Sequence, residues 1–451
     1  MNDFRFRYLS ILLGMLVFIT SCSSGGGGSE PEIELGDPIA KQATNITSSG
    51  FTASWSRVYR AESYLLDVSE DAGFATFLSG YNGKSLVSLN EEITGLESNM
   101  LYYYRVKAVS GTVVSSYSNI VETTTSFIPD PDQTLKKAAD TFLVGVAVQS
   151  GKLTGQYDEN YQKEFSSITA EWEMKMNVMH PSEDTFDFGP ADAIVNYGET
   201  NGINVHGHSL IWHNSTPDWV KNFAGTDQEF EDMIEDYITT VVSRYKGKIT
   251  SWDVVNEALE DNTGSLRNSI YRQKMGDDYI AKCYQFVRAA DPDVLIFYND
   301  YNMITDQTKQ DAVFTMVDDF IARDIPIDGV GFQMHISHDY PSKEDIQKAT
   351  DRIVERNLKV HFSELDVRAN PNKDLSSLTS ERSLSQKAKV KEVVEVYNGI
   401  PNDNKYALTV WGLKDSESWL LNFYGHMDWP LLFDGNYNKK DAYYGFLEGL
   451  Q

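Results

Sequence analysis

Cysteine is almost missing: the 451 residues hold two, Cys22 and Cys283. Two cannot build a disulfide framework or a cysteine-ligated metal site. Cys283, in the helix-like run Ile280-Ala281-Lys282-Cys283-Tyr284, reads as an inert core residue. Positive charge is scarce too. Lys and Arg number 39 against 66 Asp and Glu, a net charge of −27. That excludes the basic surface a nucleic-acid partner needs and disfavours a wholly uronate polymer. Long apolar runs are also lacking; Tyr8–Ile19 is short for a membrane span. Aromatic residues are plentiful, at 12% with 8 Trp and 25 Tyr, which suits flat sugar faces and β-rich cores alike. The length allows two or three domains.

The N-terminus reads as a targeting segment. Arg5 and Arg7 precede the apolar stretch, and Thr20-Ser21-Cys22 closes it. A plain secretory signal favours Ala-x-Ala. A cysteine directly after small residues instead resembles a bacterial lipoprotein site, which implies that Cys22 becomes the lipidated first residue. Four consecutive glycines between Ser23 and Ser29 make a flexible tether. The expectation is a signal over 1–21, a tether over 22–35, and an exported monomer anchored by lipid at the bacterial outer membrane or cell surface.

Residues 36–126 read as short strands between turns. Phe51–Trp55, Tyr64–Val68 and Tyr102–Val109 alternate or carry strand formers, and Asn82-Gly83 and Ser110-Gly111 mark turns. This spacing predicts a small β-sandwich. Trp55, Leu96, Tyr102, Tyr104 and Ser118-Asn119 resemble a fibronectin type III module, an immunoglobulin-like sandwich, with its aromatics assigned to the core. Residues 127–133, with Pro129 and Pro131, form a stiff acidic linker.

From 134 to 451 the pattern changes to alternating strands and helices. Eight strands are expected: Phe142–Val148, Ser167–Ala170, Asn204–Leu210, Thr250–Val255, Val294–Asn299, Gly329–Gln333, Lys359–Ser363 and Ala407–Trp411. Helices intervene, as in 229–245, 278–290, 308–323, 344–355 and 385–397. Such βα units predict a (β/α)8 TIM barrel in the α/β class.

Polar clusters follow strand after strand. They are Glu171-Trp172-Glu173-Met174-Lys175, His208 with Trp212-His213, Asn256-Glu257, Asn299-Asp300-Tyr301-Asn302, Gln333-Met334-His335, Glu364 with Asp366, and Trp411 with Trp419. In a parallel barrel that edge is where chemistry occurs. Glu257 and Glu364 each sit where an apolar strand is expected to give way to a polar loop. Two carboxylates facing one another there can cleave a glycosidic bond. Histidines 206, 208 and 213 invite a zinc reading. It is set aside because neighbouring strand positions point to opposite faces and the carboxylate pair already accounts for the site. No metal and no cofactor is expected.

These motifs resemble glycoside hydrolase family 10, the endo-β-1,4-xylanases, from about Thr134 to the C-terminus. Trp252-Asp253-Val254-Val255-Asn256-Glu257-Ala258 and Ser363-Glu364-Leu365-Asp366 carry the likeness, with Gly207–His213 and Asn299–Asn302. The resemblance implies Glu257 as general acid/base, Glu364 as nucleophile, Asn256 on the sugar 2-hydroxyl and His335 orienting the nucleophile. Asp366 orients that histidine or its neighbours. Glu171, Lys175, His208 and Gln333 become glycone-side contacts; Trp212, Trp411 and Trp419 become walls around the reacting sugar, and Tyr301 lines the leaving-group side. Xylan or xylo-oligosaccharides are the implied substrate. Retaining glycosidases hold their carboxyls about 5–5.5 Å apart, so one negative charge keeps the partner protonated until the nucleophile is esterified.

Two departures stand out. Trp172 replaces the asparagine that usually follows the glutamate, and indole offers only a donor where that residue supplies a carbonyl. His180-Pro181 replaces the more usual Glu-Pro. Trp172 keeps one rival open, a surface glycan-binding lipoprotein with vestigial catalysis; the same mechanism acting on another β-glycan is a second alternative.

Overall fold

The computed structural model describes residues 34–128, 130 and 132–451. Cys22 and the signal lie outside the described residues. The chain divides into two compact units, with the boundary after Ile128. Among the described residues no helix is long and apolar enough to cross a membrane.

The first unit holds two antiparallel sheets. One pairs Ala40–Thr47, Gly50–Trp55 and Asn90–Thr94. The other joins Lys84–Leu86, Ser63–Ser69, Leu101–Ser110, Val113–Val114 and Val121–Thr124. Period-two alternation sets the inner face. Along Leu101–Ser110, Tyr102, Tyr104, Val106 and Ala108 are buried while Arg105 and Lys107 lie between them, half-buried. The inward set packs on Trp55, Leu66 and Ile93.

The second unit is a closed barrel. Its strands are β1 (Leu143–Val148), β2 (Ser167–Ala170), β3 (Asn204–Gly207), β4 (Ser251–Asn256), β5 (Leu295–Asp300), β6 (Gly329–Phe332), β7 (Lys359–Arg368) and β8 (Lys405–Val410). Each pairs in parallel with the next, and β8 returns to β1. The expected eight strands and their helices are therefore present. The helix Asp227–Arg244 shows why such segments form: Thr226 and Glu229 make a reciprocal capping box, and Phe230, Ile234, Tyr237, Ile238 and Val241 fall on one buried stripe.

Several strand bounds shift by a residue or more, and three of the differences bear on the site. β3 ends at Gly207, and a short strand, Ile211–Trp212, pairs separately with β4. β8 ends before Trp411. β7 does not stop at Ser363. It continues through Glu364 and Asp366 to Arg368, because His335–Ser337 pairs with Asp366–Arg368. Glu364 thus lies inside a strand rather than at its edge.

Gly207 is fixed by contact. A Cβ there would lie 2.1 Å from the Trp252 ring, which covers the glycine. Gly207→Ala should therefore destabilise the fold by about 1–3 kcal/mol, as overpacked cores do. Thermal unfolding checks this, and an unchanged melting temperature would count against it.

Candidate active site

Both glutamates line one cleft of about 540 Å³ at the C-terminal mouth of the barrel. Around them stand Glu171, Trp172, Lys175, His208, Trp212, Asn256, Tyr301, Gln333, His335, Trp411 and Trp419. The structure therefore gathers the sequence-predicted cleft residues into one place. Another concavity, around Pro292, Leu295 and Asp328 at the N-terminal end of β5, lies away from both glutamates.

Glu257 follows β4 with φ 54°, a left-handed backbone uncommon for a residue with a side chain. Two contacts hold that turn. Its amide donates to the Asn299 carbonyl at 3.0 Å, and its own carbonyl accepts from Arg267 Nε at 2.9 Å. The carboxylate accepts from Trp212 Nε1 at 2.9 Å and from Gln333 Nε2 at 3.0 Å. Trp212 is thus a hydrogen-bond donor to Glu257 as well as a wall.

Glu364 is re-aimed by a local irregularity. The β7–β8 register slips between Phe362 and Leu365, and consecutive side chains reach the same amide. Ser363 Oγ donates to Asn299 Oδ1 at 2.6 Å, while Asn299 Nδ2 donates to Glu364 Oε1 at 2.8 Å. Strict alternation would send these two side chains to opposite faces; a bulge breaks it.

An amide chain links the two carboxylates. Asn256 Oδ1 accepts from Asn299 Nδ2 at 3.0 Å and from Gln333 Nε2 at 3.2 Å. Asn256 Nδ2 approaches Glu257 Oε1 at 3.3 Å. Gln333, expected as a sugar contact, turns its Nε2 towards these two protein acceptors.

The other oxygen of Glu364 meets His335 Nε2 at 3.2 Å. His335 Nδ1 meets Asp366 Oδ2 at 2.9 Å, and that oxygen also accepts from Trp419 Nε1 at 3.0 Å. Burial alone disfavours charge on His335, but Asp366 and Glu364 outweigh it and push its pKa up to about 10. Burial likewise raises Glu364; the His335 hydrogen bond, the positive charges of His208 and His335 and the Asn299 hydrogen bond outweigh it and hold the carboxyl below its usual range. The raised histidine adds stability that is complete below the ordinary histidine range and is lost as pH climbs towards about 10. The depressed carboxyl adds stability above the ordinary carboxylate range and loses it as pH falls through its lowered midpoint.

Removing the imidazolium should raise the Glu364 pKa. His335→Asn is therefore expected to move the acid limb of the kcat/KM profile to higher pH. A limb that stays in place would reject this coupling.

Lys175 is buried, with Nζ 4.3 Å from the Trp172 ring centre and 4.6 Å from that of Trp212. Burial lowers its pKa against the pull of Glu364, Glu171 and Glu257. Glu171 is shifted the opposite way: burial raises it, more than the Gln149 hydrogen bond and the Lys175 charge lower it. Trp172 is 51% exposed at the cleft rim. Tyr301 accepts from Arg267 at 2.8 Å and donates to Asp261 at 3.0 Å. Arg267 thus fastens both Glu257 and the Tyr301 wall, a role its loop position in the sequence does not reveal.

The histidines fall otherwise than expected. His206, in β3, and His208, just past its end, turn to the same side, and both approach Asp253 Oδ2, at 3.0 and 2.8 Å. The opposite-face reason for setting zinc aside therefore does not apply to this pair. His213 lines a separate small cavity behind Glu257. His206, Asp253 and His361, all buried, offer ligand atoms within 4.8 Å of one another and could hold a metal by geometry. Much of their capacity is already engaged: His206 Nδ1 meets Ser251 at 2.6 Å and His361 Nε2 meets Thr409 at 2.9 Å.

Comparison with known proteins places this arrangement. The family model described as "Glycosyl hydrolase family 10" matches residues 134–449. The chain is 37% identical over 371 residues to endo-beta-1,4-xylanase Xyn10C of Cellvibrio japonicus, covering 76% of this chain and 61% of that protein. It is 36% identical over 315 residues to a beta-1,4-xylanase of Dictyoglomus thermophilum, covering 68% and 87%. Among solved structures, a mutant xylanase 10C of Cellvibrio japonicus in complex with xylopentaose superposes with a TM-score of 0.69 at 32% identity, covering 92% of this chain and 90% of that one.

Proposed function

The chain belongs to glycosyl hydrolase family 10, and on that premise we propose that it is a retaining endo-β-1,4-xylanase. The observation that carries this reading is the pair of buried carboxyls in one cleft, joined through Asn256 yet placed in opposite surroundings. Glu364 faces an imidazolium and an amide donor, which keep it ionised and fix its rotamer. Glu257 faces neutral donors.

In the first step Glu257 gives its proton to the glycosidic oxygen while Glu364 attacks the anomeric carbon. The leaving sugar departs and a glycosyl ester forms. Esterification removes the negative charge of Glu364, so Glu257 can now take a proton from water. That water displaces the ester from the other face, and two inversions leave the configuration unchanged. Asn256, already oriented by Asn299 and Gln333, grips the sugar 2-hydroxyl. Lys175, Glu171 and His208 contact the glycone, and Trp411 and Trp419 bound the reacting ring. Tyr301 stands on the leaving-group side.

The sandwich is a fibronectin type III-like spacer, supported by its two antiparallel sheets around Trp55. Cys22 is lipidated and the protein is exported to the bacterial outer membrane or cell surface as a monomer, on the strength of Thr20-Ser21-Cys22 and the glycine tether.

Reducing-sugar release from xylan, cellulose and mixed-linkage glucan tests the activity. Release from xylan with β-configured first products supports it. Release only from a glucan, or binding without release, would reject it.

A further inference from the structure

We propose that Phe423, flanked by Tyr424, is the platform of an outer sugar subsite on the nucleophile side of the cleft, one that takes a neutral pyranose of the chain being cut. This rests on the xylanase reading above.

The helix Trp419–Tyr424 is anchored at its start. Ser418 caps it by accepting from the Leu420 amide, and Leu420 is buried. Trp419 is held firmly in place. Its N–H goes to Asp366, and its ring centre lies 4.9 Å from that of His335. These contacts lead to Glu364 through His335, so the helix stands on that side of the cleft. Phe423 lies one turn farther along, its ring centre 5.0 Å from Trp419. A turn advances about 5.4 Å, on the scale of one sugar in an extended β-1,4 chain.

Beyond Trp419 the aromatic surface is exposed. Phe423 is 66% exposed, Tyr424 38% and Met427 56%. Other large apolar residues exposed on the barrel unit, such as Ile321, Tyr340 and Leu384, stand far apart in sequence. Single exposed side chains need no explanation, whereas a cluster marks a binding surface. Here both aromatic members line the same cleft as Glu257 and Glu364. The patch is therefore continuous with the site that holds the reacting chain.

The chemistry favours an uncharged ring. A pyranose offers a face of C–H bonds to an aromatic plane and needs no ion pair. Arg368, 3.7 Å over the Tyr424 ring, is met by Asp428 at 3.3 Å, and Lys373 Nζ donates to the Tyr424 carbonyl at 3.5 Å.

The test compares xylohexaose with β-xylosyl fluoride, which fills only the place of the reacting ring beside Trp419. In Phe423→Ala, kcat/KM on the long substrate should fall about tenfold relative to the short one, equivalent to about 1.4 kcal/mol. Phe423→Trp should keep the chain-length preference. If Phe423→Ala changes both substrates by one factor, or neither, the subsite is overturned and the xylanase reading stands. A wild-type protein inert on both would overturn that reading, and the subsite with it.

Discussion

Glu364→Gln is expected to lower kcat on xylan by on the order of 10⁴-fold or more, the scale seen when a nucleophile is removed from a covalent mechanism. The substitution is nearly isosteric, so shape survives while the attacking charge is lost. The new amide has one carbonyl oxygen, which can face the Asn299 donor or the His335 N–H and leaves the other against an amide N–H. Oligosaccharide binding, followed by intrinsic tryptophan fluorescence, should persist, because Trp411 and Trp419 remain. Binding without turnover is the expected pattern. Appreciable hydrolysis by a pure Glu364→Gln preparation would remove this residue from the chemistry.

The second large effect falls on Glu257→Ala. General acid–base groups contribute about 10²–10⁴-fold, and that loss should appear in full on xylan, whose leaving sugar must be protonated. An aryl xylobioside with an acidic phenol departs unaided, so its first step should be spared. The ester then accumulates, because no base activates water. Azide needs no deprotonation and should restore turnover, yielding a glycosyl azide. Xylan hydrolysis at the original rate, or an equal loss on both substrates with no response to azide, would reassign the proton donor.

The framework of this site was legible in the chain, because its signals are local. Each strand is a short apolar run followed by polar residues, and Asn256-Glu257 and Glu364-Leu365-Asp366 sit beside those runs. What was not legible depends on residues far apart in sequence. β7 extends past Glu364 only because His335–Ser337 comes alongside it. The Trp212 bond to Glu257 spans 45 positions, and the Trp419 bond to Asp366 spans 53. An indole read alone is a flat apolar surface; its donor acquires meaning when the fold supplies an acceptor. Gln333 shows the same limit, since only tertiary contacts decide which way an amide turns.

The shared carbonyl of Asn256 has a consequence for engineering. Asn299 and Gln333 both donate to this single oxygen, and each also holds one of the two glutamates. Shifting either amide alters the electron density available to the other. Energetic contributions from opposite ends of such a relay are non-additive. Directed evolution that speeds ester formation through one end will therefore perturb ester breakdown through the other, and variants selected for a single half-reaction will have to be re-optimised as pairs.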